Sequence, residues 1–219
     1  MKYFNIYILF ILIILPLFGC QKYNKSNIQL DNKSYIDDFV LFQENPNNQT
    51  SVKIISPKAI FDPTNNDIEI FESLVVIRNR NGQDFQVKSG HSTLNNLTNI
   101  IRFFNNVKIS FLNNENYYIR SKSFDWDLNT SVIEMNNSLN INFDNSKIKA
   151  TNGFFNIDST LLKMDNTDFK RTIYNSEGKQ EYQLEIKSEF AKWYKNDNTL
   201  LFTSNEKQVE TTIKFLITE

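Results

Sequence analysis

Few residues in this chain are equipped for chemistry. One cysteine and one histidine occur in 219 residues, so no disulfide can close within the chain and no zinc site of the usual Cys/His kind can form. His91 stands beside Gly90 with no second histidine to work with. It reads as a satisfied surface or core side chain and not as a base or a ligand. The run Asp125-Trp126-Asp127 sets two carboxylates around an aromatic, as in sugar-cleaving sites. Such a site needs its carboxyl groups on either side of a cleft. In a strand both aspartates point away from Trp126, toward solvent. No glycine-rich phosphate loop and no serine nucleophile elbow is present. The chain therefore offers no catalytic residues, no metal site and no cofactor site. With 24 basic against 25 acidic residues and a formal charge of −1, it also has no case for nucleic acid as a partner.

The cysteine has a different use. Lys2 precedes a predominantly apolar run from Ile6 to Phe18, which ends in Gly19-Cys20. That is the length of a signal-peptide core and short of the ~20 residues that span a bilayer. Leu17-Phe18-Gly19-Cys20 resembles a bacterial lipobox, in which the Cys20 thiol is acylated after cleavage before it. Phe18 is bulky where that motif carries a small or β-branched residue, so an uncleaved anchor is the alternative. Either way the segment is an export signal and membrane tether. The expected division is a signal or anchor segment over 1–19, a polar flexible tether over 20–34, and one body over 35–219.

That body is organised by a phrase occurring five times: apolar, any, small, three variable positions, any, large apolar or aromatic. The copies start at Ile54, Val87, Ile119, Ile148 and Ile186, so 33, 32, 29 and 38 residues separate their first positions. Their eighth positions are Phe61, Leu94, Trp126, Phe155 and Trp193, and their third are Ser56, Ser89, Ser121, Ala150 and Ser188. A recurring period of this size marks one supersecondary unit copied along the chain. Positions 1 and 3 share one face of a strand, and positions 6 and 8 have the opposite parity. A bulge or kink near Lys122-Ser123 and its equivalents would restore a single inward face.

Each phrase runs into a turn rich in Asn, Asp and Thr, such as Asn95-Asn96-Leu97-Thr98-Asn99, which tolerates φ > 0 and suits a hairpin. An apolar return arm follows, as in Ile100-Ile101-Arg102-Phe103 and then Val107-Lys108-Ile109-Ser110-Phe111. A first strand is expected at Phe39-Val40-Leu41-Phe42. No helical period appears after the signal segment. The expected fold is all-β: about five tandem long hairpins rolled into an open barrel or flattened jellyroll.

Apolar-x-small-x-x-small-x-aromatic, a polar turn and an apolar return arm together resemble the repeat of the OstA-like β-jellyroll proteins of lipopolysaccharide export. A membrane-tethered N-terminus with one such body looks like the LptC family, although many of its members keep an uncleaved transmembrane helix. The resemblance runs over about Tyr35 to Glu219. It implies a periplasmic component at the inner membrane that receives the glycolipid from an ABC transporter and passes it to an LptA-like bridge protein. Its acyl chains would lie in an apolar groove lined by Ile54, Phe61, Val87, Leu94 and Ile119 of the first units. Trp126, Ile148, Phe155, Ile186 and Trp193 would continue the groove. By the same resemblance the N-terminal edge, at Phe39 and Leu41, would meet the transporter's β-domain. The C-terminal edge, at Val209, Thr211, Ile213 and Phe215, would add a strand of the next bridge protein. Two other readings stand beside this one. A structural envelope lipoprotein would hold a protein or polysaccharide partner on an outer face, over a closed dry core. A secreted carbohydrate-active enzyme is the third.

Overall fold

The computed structural model describes residues 33–45, 50–78, 84–112 and 114–215. The signal segment, Cys20 and nearly all of the tether lie outside these residues. Within them the chain forms fourteen strands and no helix. They are β1 (Ser34–Asn45), β2 (Thr50–Asp62), β3 (Asp67–Arg78), β4 (Phe85–Asn95), β5 (Ile100–Phe111), β6 (Asn114–Asp127) and β7 (Val132–Met135). Then come β8 (Leu139–Phe143), β9 (Ser146–Ala150), β10 (Asn152–Asn156), β11 (Leu161–Tyr174), β12 (Gln180–Tyr194), β13 (Thr199–Thr203) and β14 (Glu210–Phe215). All belong to one antiparallel sheet whose spatial order follows the chain. Three arms are broken in two: β7 and β8 both lie against β6, β10 and β9 against β11, and β13 and β14 against β12. The result is a first strand followed by five long hairpins, as the repeats require.

Every hairpin turns over four residues, and in each the last one takes a left-handed backbone: Asn66, Asn99, Ser131, Thr160 and Asn198, with φ between 49° and 58°. Asn accepts this conformation at little cost. The side chains also build the turns. Asn95 Oδ1 accepts from the backbone N–H of Leu97 and Thr98, and Asp127 Oδ1 accepts from that of Asn129.

The expected kink is present in every unit. In β2 the buried positions run Val52, Ile54, Ser56, then skip Pro57 and Lys58 and resume at Ala59. Neighbouring arms answer with left-handed residues inside a strand: Asp38, Glu72, Asn105, Asn106 and Asn166. The pairing register shifts at the same level between β4 and β5 and between β5 and β6. Position 4 of the copies in β2, β4, β6 and β12 falls on this line, as Pro57, Gly90, Lys122 and Glu189, and Thr151 falls between β9 and β10. The sheet is thus creased across its strands, and the crease brings positions 1, 3, 6 and 8 onto one inner face.

The sheet also curls along its other direction. Phe111 on β5 and Trp193 on β12 are five strand steps apart, about 24 Å along a flat sheet. Their ring centroids are 6.1 Å apart. Phe85 and Phe155, four steps apart, approach to 5.7 Å. Only a sheet folded back over itself allows both contacts, and the inner faces so joined form one core.

Candidate functional site

The repeated phrase produces two apolar rows that run from strand to strand. Residues at position 8 and their partners on the return arms stand opposite one another in succession: Phe61, Ile68, Leu94, Ile101, Trp126, Ile133, Phe155, Leu162, Trp193 and Leu200. Position 1 gives the second row: Leu41, Ile54, Val75, Val87, Ile109, Ile119, Ile141, Ile148, Phe169 and Ile186. All ten residues expected to line a groove therefore fall on one or other of these rows. Eight of them are at most 3 % exposed; Phe61 and Ile186, near the ends of their rows, are partly buried. Aromatic rings fill the meeting of the two layers, with Trp193 against Phe143 at 4.9 Å, Phe111 at 6.1 Å and Tyr117 at 6.2 Å. The indole Nε1 of Trp126 and of Trp193 is buried without a hydrogen-bond partner. Each such donor left unmet costs about 1–3 kcal/mol.

The small residues at position 3 do more than leave room. They sit beside the crease, and the four serines among them supply hydroxyl donors. Ser56 Oγ donates to the carbonyls of Lys58 or Phe71, Ser121 to that of Ser138 (3.2 Å) and Ser188 to that of Phe190 (2.9 Å). Ser73, Ser89 and Ser92 form a buried triangle with every Oγ–Oγ distance 2.7 Å. The sequence carried this signal in its preference for Ser over Ala or Gly at position 3.

A polar clasp, missed in the sequence, closes the roll. The Tyr117 hydroxyl donates to Asp144 Oδ2 at 2.6 Å, and Lys195 Nζ lies 4.5 Å from the Tyr117 ring centroid and 5.5 Å from that of Phe111. Burial, then the bond to Asp144, push the tyrosine up to about 12. Desolvation pulls the Lys195 ammonium below its ordinary value. Tyr117 and Asp144 come from the paired strands β6 and β8 and the turn just beyond, whereas Lys195 comes from the turn after β12, so no local pattern announces the three together.

The edges are open among the described residues. β1 pairs only with β2, and β13 and β14 only with β12. Of the edge candidates, Phe39 and Leu41 turn inward, and their neighbours Val40 and Phe42 face solvent. Val209, Thr211, Ile213 and Phe215 are exposed, Phe215 to 75 %. Glu185 and Glu189 are tied down. Glu185 Oε1 meets Lys214 at 2.8 Å and Lys170 at 3.4 Å across three strands. Glu189 Oε2 accepts from the backbone N–H of Asn205 and Glu206, which holds its carboxyl below the usual glutamate range.

The residues first singled out for chemistry have structural partners. Asp125 pairs with Arg102 at 3.6 Å on the outer face. His91 packs between Phe71 and Phe104, with Nε2 4.0 Å from Glu69.

No curated protein matches the chain. A family model described as lipopolysaccharide-assembly, LptC-related, matches residues 6–167, which takes in the first four copies of the phrase. Fold, repeat and family model agree: the chain belongs to the LptC-related family of lipopolysaccharide assembly, and its part in the cell is in lipopolysaccharide export.

Proposed function

We propose that the protein is a membrane-tethered, non-enzymatic carrier that shelters the acyl chains of lipopolysaccharide between the two apolar rows. It takes the glycolipid from an inner-membrane ABC transporter on the periplasmic side and hands it to an LptA-like bridge protein. The observation that carries this reading is the continuity of the rows: each runs unbroken from an arm near one free edge of the sheet to an arm near the other. A glycolipid crossing water must hide its chains, since each methylene is worth about 0.8 kcal/mol on burial. A track open at both ends of the sheet suits a relay, because unpaired edges accept strands of another chain. On this reading the β1 edge meets the transporter's β-domain and the β14 edge meets the next bridge protein.

In vivo photocrosslinking tests the reading. A photoreactive residue at Trp126 or Phe155 should give glycolipid adducts that disappear when the transporter is depleted. Adducts with protein alone, or none at either position, would overturn it. The dense packing of the inner aromatics favours a second reading, a structural lipoprotein holding an envelope partner on its outer face. That reading predicts crosslinks from exposed Phe154 or Tyr194 and none from the interior.

A further inference from the structure

The outer face carries a cluster that the carrier reading leaves unused. Lys88, Lys108 and Arg120 stand directly opposite one another on β4, β5 and β6. Like charges so placed destabilise a sheet. Lys122, two residues beyond Arg120, adds a fourth charge on the same face. Tyr118 is held between two of them, its ring centroid 4.7 Å from Lys108 Nζ and 4.8 Å from Arg120 Cζ. The crease at Asn105 and Asn106, with φ of 62° and 60°, opens the surface here into a cleft of about 600 Å³. All four cations line it, together with Asn106, Ser138 and Asn140. Among the described residues none of the four pairs with a carboxylate. Elsewhere on the outer face Arg102, Lys170 and Lys214 are matched to Asp125 or Glu185. In a chain of net charge −1, four unmatched cations converging on one cleft are a local concentration.

We propose that this cleft binds a phosphate group. A guanidinium can grip two phosphate oxygens at once, and ammonium groups add point charges around it. The amide side chains supply further donors, and a dianion would relieve the repulsion along the row. The phosphate can belong to a lipid headgroup or to a soluble molecule. This inference stands apart from the carrier reading, since it concerns the opposite face of the sheet.

Lysine acetylation followed by peptide mass spectrometry tests it on the full chain in neutral-surfactant micelles. Two probes are compared: inorganic pyrophosphate, and micelles doped with phosphatidic acid. Saturating probe should slow acetylation of Lys88, Lys108 and Lys122 at least about threefold, as occupancy of the cleft requires. Exposed Lys163 and Lys192 serve as remote controls and should not change. Protection by pyrophosphate assigns the site to soluble phosphates; protection by doped micelles alone assigns it to a headgroup. Arg120→Gln, at an exposed position, should abolish the protection and leave the fold intact by circular dichroism. Absence of protection with both probes, equal slowing at Lys163 and Lys192, or unchanged protection in R120Q would overturn the proposal.

Discussion

Tyr117→Phe removes one oxygen, the donor that ties β6 to Asp144 just beyond β8, and its effect can be worked out. The hydroxyl gives a 2.6 Å bond to Asp144 Oδ2 from a side chain only 5 % exposed. A hydrogen bond to a charged acceptor is worth about 1.5–3 kcal/mol net. Burial first and the bond to Asp144 second raise the phenol from 10.0 to about 12, which makes ionising it in the fold cost about 2.7 kcal/mol more than in the open chain at 1.36 kcal/mol per unit. Y117F should therefore be about 2 kcal/mol less stable at pH 7. The sign of the pH dependence follows from the raised value. The folded state holds the phenolic proton more tightly than the unfolded chain, so the contribution is whole below about pH 10 and is lost as pH climbs toward about 12. The gap between wild type and Y117F should shrink by about 2 kcal/mol at about pH 11.5. Lys195, with its lowered value, works in the opposite direction and is present in both proteins, so the difference isolates Tyr117. Urea unfolding at a series of pH values measures it. A gap that stays constant from pH 7 to 11.5 would refute the clasp.

Trp126→Phe should cost under about 1.5 kcal/mol, because it also removes an unmet N–H, whereas Trp126→Ala should cost about 3–5 kcal/mol; denaturant midpoints separate the two. At the crease, a Cβ on Gly90 would stand 3.2 Å from Asn105 Cβ and 3.3 Å from its carbonyl oxygen. Gly90→Val should lower stability by about 1–3 kcal/mol. Gly153→Ala meets only flexible methyls of Leu139 and Met135 and should be much milder in the same thermal melts. Glu189, with its depressed carboxyl, stabilises the loop before β14 above the ordinary glutamate range and loses that effect as pH falls. Amide NMR shifts of Asn205 and Glu206 should move together below the ordinary glutamate range, and Glu189→Gln should show the moved shifts already at neutral pH.

What the sequence revealed and what it hid divide along a physical line. The parity conflict between positions 1 and 8, seen in Ile119 and Trp126, demanded a crease, and the crease is there because side-chain alternation in a strand leaves no other way to bury both. The Asn-rich turns were legible for the same reason: a left-handed residue is a local requirement, met locally by Asn66, Asn99 and Asn198. The contact of Lys195 with the Tyr117 and Phe111 rings depends on how far the sheet curls, which no stretch of sequence encodes by itself. The basic cleft lies between these cases. Lys88, Arg120, Lys149 and Lys187 all occupy position 2 of the phrase, a pattern open to view. Lys108, which joins Lys88 to Arg120, comes from a return arm and becomes their neighbour only through register.

A dense interior and a carrying role are compatible once their energies are compared. Entry of an alkyl chain between the layers must part ring pairs such as Phe85 with Phe155, Phe111 with Phe155, and Trp193 with Phe111, Tyr117 and Phe143. Beyond simple burial, each pair is worth about 0.5–1.5 kcal/mol, so opening all five costs about 5 kcal/mol. A ten-carbon stretch taken out of water returns about 8 kcal/mol, and the rings stay covered by the chain that displaced their partners. Closure in the absence of cargo thus follows from the same apolar rows that would receive it, and the balance is small enough to reverse on handover. The clasp should tilt that balance. With Lys195 replaced by Gln, its two contacts with the Tyr117 and Phe111 rings across the seam are lost; at about 0.5–1 kcal/mol each the layers part at about 1–2 kcal/mol less cost, and photoadducts between glycolipid and position 155 should increase. An unchanged or lower adduct yield in K195Q would show that lipid, if it reaches the interior, enters without separating the two layers at this seam.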